Sequence, residues 1–598
     1  MITFKRFWRL LKGNRLFYLG AILMAGLATL SAMLPPLVIK ITVDSALQGL
    51  PLDAPAFVIR LIRRAGGVSV LARNLWICAL AIAAFTLLSG VFSYFRGRWT
   101  AMAAENIAQR LKDTLYDHLQ RLPYDYHVKA QTGDLIQRCT SDVETIRRFL
   151  ANQMVEMART IFILLFSVSI MAGMNGTLTL VSLIVIPILF IFSAIFYKQI
   201  TASFLRLDEK EGELQTVLQE NLSGVRVVRA FGRPKYEVDK FEEKNAAFCS
   251  LGILVTKLLA YFWAFSELLC FTQIGVTLFL GVTLTIQGRL SLGALLVFNT
   301  YVGMLVFPMR QLGRILSEMG KMGVSLGRVY EIINTPAETD TGAARPSLRE
   351  DIVFDHVSFA YENKNPVLND LSFTIRAGET IAILGAAGSG KSTMMHLLLR
   401  LYDYQGSIKI GGTELRGIAK DWLRGKIGMV LQEPFLYSKT ILNNIRMARF
   451  GALDEEIYEA ARTAAVHDVI EGFEHGYDTL VGERGVTLSG GQKQRVAITR
   501  TLIKNSDILI FDDSLSAVDT ETDARIRAAL RKSAANVTTF IISQRITTLM
   551  EADRIFVLEN GRLSSAGTHQ ELIGRDGLYA RIWNIQNTLE EEFEAEGL

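Results

Sequence analysis

The chain has 598 residues, 50% of them hydrophobic, and its formal net charge is +5. This length exceeds what one hydrophobic core supports, so two or more domains are expected. Apolar runs of about 20 residues in the first half can each cross a bilayer as a helix, which excludes a wholly soluble protein. The mild positive charge gives no reason to expect a nucleic-acid partner, because membrane proteins concentrate Lys and Arg on their cytoplasmic side.

Residues 4–12 are basic and aromatic. They lead into an apolar run longer than the core of a signal peptide, and no small-residue cleavage site follows. We therefore expect a retained helix at the membrane surface, with its aromatic side chains among the lipid head groups.

The apolar runs predict an all-α transmembrane domain over residues 1–330, with six spans in the lipid bilayer. The predicted spans are about 16–46, 74–96, 156–174, 177–198, 258–286 and 292–316. An even number places both termini on one side, and the nine Lys and Arg in 96–148 and ten in 198–257 indicate that this side is cytoplasmic. The outer loop 47–73 departs from this pattern with four arginines, although 57–63 is typical of an amphipathic surface helix. We expect a multi-pass protein of the bacterial plasma membrane with cytoplasmic termini.

The two long cytoplasmic connections have apolar residues at helical spacing. They are therefore predicted to extend the membrane helices beyond the bilayer. Each is interrupted by a short turn, near 122–133 and near 225–234. These turns are candidates for docking on the soluble domain and carrying motion to it.

Glu267 is the ionisable residue most isolated in apolar sequence within the predicted spans. A charge inside the membrane is costly unless it faces water or a partner. Two interpretations stay open at this point: Glu267 lines a cavity for a cationic or polar substrate, or it makes a hydrogen bond that packs two helices.

Polarity rises after the last span, and the Pro, Gly and Thr content of 331–350 predicts a linker. Alternating strand-like and helix-like runs predict an α/β nucleotide-binding domain over 351–585. The remaining residues, 586–598, are predicted to form an acidic tail.

The phosphate-binding motif G-x-x-x-x-G-K-[ST] occurs at 385–393, between a strand-like and a helix-like run. Its backbone N–H groups are predicted to surround the phosphates of ATP, with Lys391 on the outer phosphates and Ser392 on Mg²⁺. Tyr361, upstream of the motif, is an aromatic residue that can stack on the base. The predicted ATP-binding residues are Tyr361, Gly385, Ala386, Ala387, Gly388, Ser389, Gly390, Lys391, Ser392 and Thr393.

Asp512 ends a buried strand, which predicts that its carboxylate lies beside Mg²⁺. Before it, a second glycine-rich turn opens a helix whose N-terminus can hold another phosphate. One nucleotide rarely needs two such sites, so the second is predicted to serve ATP bound to another subunit, which makes the functional unit a dimer. The residues of this turn are Leu488, Ser489, Gly490, Gly491 and Gln492.

Taken in this order and spacing, the motifs resemble those of ATP-binding cassette (ABC) exporters of half-transporter size, and the likeness covers nearly the whole chain. The resemblance implies a P-loop ATPase that hydrolyses ATP to drive transport. It implies that Tyr361 stacks on adenine, that Gln432 senses Mg²⁺ and nucleotide, and that Asp512 is the Walker B acid. Mg²⁺ would thus be held by Ser392, Gln432 and Asp512.

Further motifs carry the same resemblance. The turn 488–492 looks like the signature motif, 516–519 like the D-loop that ends in Asp519, and 483–485 like a segment that contacts cytoplasmic turns. In the membrane half, 131–135 and 220–231 also match.

Two positions depart from the family pattern. Asp513 stands where a glutamate usually polarises the attacking water, and Gln544 stands where a histidine normally contacts the γ-phosphate. The Asp513 side chain is one methylene shorter than glutamate, and a misplacement near 1 Å costs catalysis about 10²-fold. Gln544 can donate and accept hydrogen bonds but cannot take up a proton. Both departures weaken hydrolysis and spare the groups that hold Mg-ATP.

We therefore predict an ATP-driven exporter of hydrophobic or amphipathic, drug-like small molecules that works by alternating access. This chain would be one half of a heterodimer, its own ATP site would be slow, and the second half-transporter would carry the missing glutamate and histidine. Three alternatives stay open: tolerated drift in a working ATP site, a lipid or lipopeptide flippase, and a regulatory ATP-binding membrane subunit.

Overall fold

The computed structural model describes residues 4–64, 66–363, 365–482, 485, 487–514, 519–533 and 536–596. The chain forms two compact units. The first, the membrane unit, comprises the residues up to 122 together with 130–336. The second, the nucleotide-binding unit, comprises 123–129 and the residues from 337 onward.

Helices make up the membrane unit, and one short helix of the first half, α6, belongs to the nucleotide-binding unit. They are α1 (Phe4–Leu10), α2 (Arg15–Ile41), α3 (Ala56–Arg64), α4 (Val68–Arg73), α5 (Trp76–Arg121), α6 (Tyr124–Lys129), α7 (Thr132–Gln137), α8 (Val143–Arg148), α9 (Met154–Met174), α10 (Gly176–Leu183), α11 (Val185–Ala230), α12 (Pro234–Ile286) and α13 (Leu292–Asn334). Short π-helical segments continue α2 to Leu47 and join α7, α8 and α9.

Within the described ranges, six helical segments are long and apolar enough to cross a membrane. They are Arg15–Leu47, Trp76–Arg121, Thr132–Met174, Gly176–Ala230, Pro234–Ile286 and Leu292–Asn334. Five of them are 43 to 55 residues long, whereas about 20 residues cross the hydrocarbon core. The excess length forms the predicted extensions, and helix breaks at Leu122 and after Ala230 fall in the two predicted turns.

Local sequence sets where several of these helices begin. The Asn175 side chain accepts a hydrogen bond from Leu178 N at 3.0 Å, and Ser291 Oγ accepts one from Ala294 N at 3.1 Å. Such caps satisfy backbone donors that have no partner inside the helix. Pro234 occupies the first turn of α12, where its missing N–H has no cost.

The core of the membrane unit is centred on α13. Phe298 and Tyr301 on this helix are fully buried, together with Met33 from α2. The Tyr301 hydroxyl donates a hydrogen bond to the Met33 carbonyl oxygen, which satisfies its polar group in an apolar environment. The sixth predicted span is therefore the most enclosed of the six, because 47% of its most apolar 18-residue stretch is buried.

The nucleotide-binding unit contains two sheets. The strands are β1 (Ile352–Phe359), β2 (Leu368–Ile375), β3 (Thr380–Gly385), β4 (Gln405–Ile410), β5 (Thr413–Glu414), β6 (Ile427–Val430), β7 (Ile508–Asp512), β8 (Thr538–Ile542), β9 (Arg554–Glu559) and β10 (Arg562–Gly567). The helices are α14 (Lys391–Leu398), α15 (Lys420–Lys426), α16 (Ile441–Arg446), α17 (Asp454–Thr463), α18 (His467–Glu471), α19 (Gly490–Leu502), α20 (Thr520–Ser533), α21 (Ile546–Leu549), α22 (His569–Ile573) and α23 (Leu578–Glu596).

The larger sheet positions the functional residues. Its order is β10-β9-β3-β8-β7-β6, and all neighbouring strands except β9 and β10 are parallel. Parallel strands bring their carboxyl ends to one edge of a sheet, which is where such sheets bind ligands. The residues that follow β3, β7 and β8 therefore meet at this edge. The smaller sheet, β2-β1-β4-β5, is antiparallel.

The structure divides the predicted linker between the two units. Helix α13 continues to Asn334, and residues from 337 belong to the nucleotide-binding unit. There Ala344 N donates to Gly417 O at 3.0 Å, and Ala419 N donates to Ala344 O at 2.9 Å. A Cβ on Gly342 would lie 2.3 Å from Ile418 O, so the segment packs too closely for a side chain. The segment is ordered because its backbone groups pair with the domain. At the other end, the predicted acidic tail is helical as far as Glu596.

Candidate functional site

A tight turn follows β3 and leads into α14. Gly388 and Gly390 have φ angles of +80° and +99°, in the left-handed region that glycine enters without steric cost. A Cβ on Gly385 would lie 2.5 Å from the Leu558 carbonyl oxygen. The glycine spacing therefore fits this strand–turn–helix geometry, which places backbone N–H groups at the positive end of α14. All nine predicted loop residues, 385–393, lie in this segment.

Lys391 is the first residue of α14. Its Nζ donates hydrogen bonds to Gly385 O at 2.7 Å and Ala386 O at 2.9 Å, so the ammonium group lies over the loop. Burial lowers the pKa of Lys391, while the carboxylates of Asp512 and Asp513 oppose that shift. A phosphate oxygen would be a stronger acceptor than either carbonyl, because charge-assisted hydrogen bonds are about twice as strong as neutral ones.

Ser392 and Asp512 lie together at the sheet edge. Ser392 Oγ donates to Asp512 Oδ1 at 3.0 Å, although the two residues come from α14 and β7. Asp512 is 6% exposed. Hydroxyl and carboxylate oxygens suit Mg²⁺, which favours hard oxygen ligands beside nucleotide phosphates. These two residues would hold the ion, and bound Mg²⁺ neutralises charge on the phosphates.

Asp513 follows β7 with a φ of +46°, an uncommon backbone conformation that Asp adopts more readily than most residues. Its backbone N–H donates to Ile542 O at 2.9 Å, which ties it to the end of β8. Burial, followed by the neighbouring Asp512 charge, raises the pKa of the Asp513 carboxyl. The carboxylate thus lies at the predicted catalytic edge, fixed through its own backbone.

Gln544 lies two residues beyond β8, at the same edge, and its side chain is exposed. The backbone there is held by Gln586 of α23: Gln586 Nε2 donates to Gln544 O at 3.0 Å, and Gln586 Oε1 accepts from Ile546 N at 2.9 Å. Gln586 was not among the predicted site residues. A lone glutamine 42 positions away in an ordinary helix carries no motif that would have revealed it.

Gln432 lies just after β6 and its side chain is also exposed. The preceding residue is tied to α19, because the buried Gln494 donates from Nε2 to Leu431 O at 3.4 Å. The backbone next to the predicted Mg²⁺ sensor is therefore hydrogen-bonded to the helix that follows the second glycine-rich turn. Gln494 was likewise not among the predicted site residues.

The second glycine-rich turn caps α19. Ser489 Oγ accepts from Gln492 N at 3.3 Å, and Gln492 Oε1 accepts from Ser489 N at 2.9 Å, a reciprocal capping box. Leu488 is buried, whereas Ser489 and Gly490 are exposed. Helix α19 packs against α16, α17 and β6, while α14 packs against β3. The turn thus presents a preformed helix N-terminus to solvent, on a different helix from the phosphate loop.

Asp519 precedes α20, and its Oδ2 accepts a hydrogen bond from Thr522 N at 2.9 Å. That hydrogen bond lowers the pKa of Asp519. The rest of the predicted D-loop, 516–518, and residues 483 and 484 of the segment predicted to contact cytoplasmic turns lie outside the described residues.

An aromatic cluster surrounds Tyr361. Its hydroxyl lies 3.1 Å from Thr393 Oγ1, at the end of the phosphate loop, and its ring meets Phe359 and Tyr402 edge to face. Tyr402 in turn meets Tyr124 of α6 at 5.7 Å between ring centroids. Tyr402, which contacts Tyr361, and Tyr124, which supports Tyr402, were not among the predicted site residues, because they lie on a distant loop and on a helix of the first half.

Comparison with known proteins places this geometry in a family. Residues 18–309 match the family model of the ABC transporter transmembrane region, and 368–516 match the family model described as ABC transporter. The chain is 34% identical over 592 residues to the ABC transporter ATP-binding protein YknU of Bacillus subtilis, covering 98% of each chain. This chain belongs to the half-size ABC exporters. It hydrolyses ATP and couples that reaction to transport across a membrane in which it is a multi-pass protein.

Two further comparisons support the same family. YgaD of Bacillus subtilis, named as a candidate multidrug export ATP-binding/permease protein, is 33% identical and covers 92% of this chain and 94% of its own length. The solved structure of a bacterial Atm1-family ABC exporter with ATP bound has a TM-score of 0.78 and 29% identity. That alignment covers 96% of this chain and 98% of the other. The predicted six-span domain followed by an ABC ATPase domain is thereby confirmed.

In the membrane unit of this ABC exporter, Glu267 is not isolated. Its carboxylate forms an ion pair with Arg310 of α13, and the Arg310 guanidinium lies 4.4 Å from the centre of the Trp263 ring. Within this chain, therefore, the charge of Glu267 is already neutralised by a neighbouring helix. This contact corresponds to the helix-packing interpretation that the sequence left open.

Proposed function

We propose that this ABC exporter chain is one half of a heterodimer, and that its own ATP site binds Mg-ATP but turns over slowly. The partner would be a second half-transporter with the usual glutamate and histidine. The transported molecules would be hydrophobic or amphipathic and drug-like. The membrane would be a bacterial plasma membrane, with both termini in the cytoplasm.

The observation that carries this proposal is the contrast between the binding and the catalytic groups. Lys391, Ser392 and Asp512 lie together around the phosphate loop, as nucleotide binding requires. The residues that depart from the family pattern, Asp513 and Gln544, lie where water would be activated and the γ-phosphate sensed. The binding groups are thus retained, and the changes fall at the positions predicted to act in catalysis.

The structure gives Asp513 little freedom to compensate for its shorter side chain. Its backbone is fixed by the hydrogen bond to Ile542 O, in a left-handed conformation. A carboxylate placed about 1 Å further from its water loses about 10²-fold in rate. A rigid backbone cannot recover that distance, which supports slow hydrolysis at this site.

A dimer is supported by surfaces that one chain leaves uncovered. The capped N-terminus of α19 presents Ser489 and Gly490 to solvent. In the membrane unit, 6% of the most apolar 18-residue stretch of α5 is buried. Phe271 and Phe279 on α12 are 64% and 72% exposed. Lipid and a second subunit would cover these faces.

The test is ATP turnover in lipid by this chain alone and together with its candidate partner. We expect little turnover from the chain alone. In the pair, changing the partner's catalytic glutamate to glutamine should abolish turnover, whereas Asp513→Asn in this chain should change it less than twofold. Asp513→Glu should raise the turnover of this chain's own site by about tenfold or more, because it restores the missing methylene.

Matched controls separate slow hydrolysis from lost binding. Lys391→Ala should remove ATP binding at this chain's site, while Asp513→Asn should leave that binding unchanged, as measured with a fluorescent ATP analogue. Brisk turnover by the chain alone that is lost in Asp513→Asn would contradict the proposal, since Asp513 would then be a working base.

A further inference from the structure

A cavity of about 360 Å³ lies inside the membrane unit, between α2, α5, α9 and α13. Its lining residues are Ala28, Thr29, Ala32, Met33, Ser89, Ser93, Arg96, Arg159, Ile163, Gly303, Met304, Phe307 and Pro308. Most of these side chains are apolar, and three carry hydroxyl groups. The volume lies in the range of small-molecule sites in proteins.

The charged residues that line the cavity are all positive. Arg96 and Arg159 are its two charged members, and none of the lining residues is a carboxylate. One carboxylate outside the lining, Glu156, pairs with both: Arg96 Nη1 lies 3.3 Å from Glu156 Oε2, and Arg159 Nη1 donates to Glu156 Oε1. Two guanidinium groups share one carboxylate, so the cluster carries one uncompensated positive charge.

The two arginines also have unused hydrogen-bond donors. Each guanidinium has five N–H groups. Among the described residues, the hydrogen bonds from the side chains of Arg96 and Arg159 go to Glu156 alone, one from each. Arg159 is 41% exposed, so its remaining donors are accessible. An uncompensated charge at a membrane-embedded site is costly, and an anion with several acceptor oxygens would remove that cost.

The positive charges of the lining lie at one end of the cavity. Arg96 is the last lining residue of α5, about two turns beyond Ser89, and Arg159 is the first lining residue of α9, about one turn before Ile163. Their shared contact with Glu156 brings both to one end of the cavity, whereas the lining from α2, between Ala28 and Met33, is mainly apolar. We propose that this cavity binds an amphipathic acid, with its phosphate, sulfate or carboxylate head on Arg96 and Arg159 and its apolar body along α2 and α13. The inference rests on the proposed export function and names the substrate class. The ion pair of Glu267 with Arg310 agrees with it, because that carboxylate is already paired with a cationic side chain.

A structural role for the two arginines is the competing explanation. Arginines at the cytoplasmic end of membrane helices commonly anchor those helices at the head groups. An anchor would not distinguish ligands by the charge of their head groups. The test therefore compares two amphiphiles with equal chains and opposite charge.

The full chain, together with its partner where the two co-purify, is placed in nanodiscs of phosphatidylcholine without ATP. The probe is dodecyl phosphate with a photoreactive diazirine in its chain, and labelled peptides are mapped by mass spectrometry. We expect labelling of α2, α9 or α13 peptides that line the cavity. Unlabelled dodecyl phosphate should compete at least about tenfold better than dodecyltrimethylammonium.

Substitutions locate the head group. Arg96→Gln with Arg159→Gln should reduce cavity labelling by about tenfold or more, whereas Arg98→Gln, an exposed arginine on the same helix outside the lining, should not change it. Binding of a fluorescent ATP analogue checks that the variants fold. Equal competition by the two amphiphiles on the unmodified protein would overturn the proposal without reference to any variant.

Adding phosphatidylglycerol to the nanodiscs distinguishes the source of the acid. Reduced labelling means that an acidic membrane lipid occupies the cavity, and unchanged labelling means that a free amphiphile does; both results support an acid site. Binding is measured without ATP, so it stands apart from export. Selective labelling with no ATP-dependent movement of the probe would contradict the assignment of this acid as an exported substrate and leave the binding site intact.

Discussion

Tyr402 is a single residue that connects two parts of the nucleotide-binding unit. Its ring meets Tyr361 at 5.2 Å and Tyr124 at 5.7 Å, both edge to face. Burial raises the pKa of Tyr402 to about 12, so the ring stays neutral. Because Tyr361 is the predicted adenine-stacking residue, Tyr402 acts as a positioning residue that fixes the orientation of that ring.

We predict that Tyr402→Ala weakens ATP binding by about two- to tenfold, because an edge-to-face aromatic pair contributes about 0.5–1.5 kcal/mol. Tyr402→Phe should bind ATP normally, since the ring contact does not need the hydroxyl. Titration of the full-length protein with a fluorescent ATP analogue measures both. Unchanged affinity in a folded Tyr402→Ala variant would show that Tyr361 needs no support.

At the scale of elements, the segment 337–350 is held on α15 by a compact ionic network. Glu338 accepts two hydrogen bonds at 2.8 Å from Arg424 and one at 3.0 Å from Lys420 Nζ. Asp340 Oδ2 accepts from Lys420 N at 2.6 Å. The bidentate hydrogen bond from Arg424, and then Lys420, lowers the pKa of Glu338 to about 2.

This shift predicts a defined pH dependence. The pKa of Glu338 is lower in the folded chain than the value near 4.3 of an unfolded one, so its contribution is complete above about pH 4.5 and disappears as the pH falls toward 2. Glu338→Gln should destabilise the nucleotide-binding unit by about 1–3 kcal/mol at pH 7, allowing for partial exposure. The difference from the unmodified chain should shrink below pH 4.5.

Hydrogen–deuterium exchange of the full chain checks this prediction through the peptides that cover 337–350 and 415–426. Glu350→Gln, an exposed glutamate in the same segment, is the matched control and should exchange like the unmodified chain. Equal protection in Glu338→Gln and the control at pH 7 would mean that the backbone pairing of Ala344 alone holds the segment.

At the scale of the whole molecule, the proposed heterodimer separates the two roles of this chain. Its phosphate loop would belong to the slow site, while its capped turn at Ser489 would complete the fast site on the partner. Loss of one preorganised hydrogen-bond donor at an anion-stabilising site costs about 10²-fold or more in rate. The two sites in one chain should therefore differ in their effect on turnover.

Ser489→Ala in this chain is predicted to lower the ATP turnover of the pair by about tenfold or more, since it removes both the hydroxyl and the cap of α19. Asp513→Asn should have a much smaller effect. Steady-state phosphate release from the pair in lipid measures both. The reverse order of effects would assign the fast site to this chain's own phosphate loop.

Sequence alone was enough to recognise the architecture of this exporter and to predict its nucleotide-binding residues. Apolar runs long enough to cross a bilayer and a phosphate loop between a strand and a helix are local patterns, so neighbouring residues suffice to recognise them. Gly385 to Thr393 could be predicted to bind phosphate for that reason. The departures from the family pattern at Asp513 and Gln544 could also be recognised, because both residues stand next to motifs of fixed spacing.

Packing in the folded chain decided which distant residues lie beside these sites. It brought Tyr402 to Tyr361, Tyr124 to Tyr402, Gln586 to Gln544, Arg310 to Glu267, and Arg96 together with Arg159 to one cavity. None of these pairs has a fixed separation along the chain, because each is set by how helices and strands pack against one another. A charge that looks isolated in sequence can thus be neutralised in the fold, and two ordinary arginines can share one carboxylate.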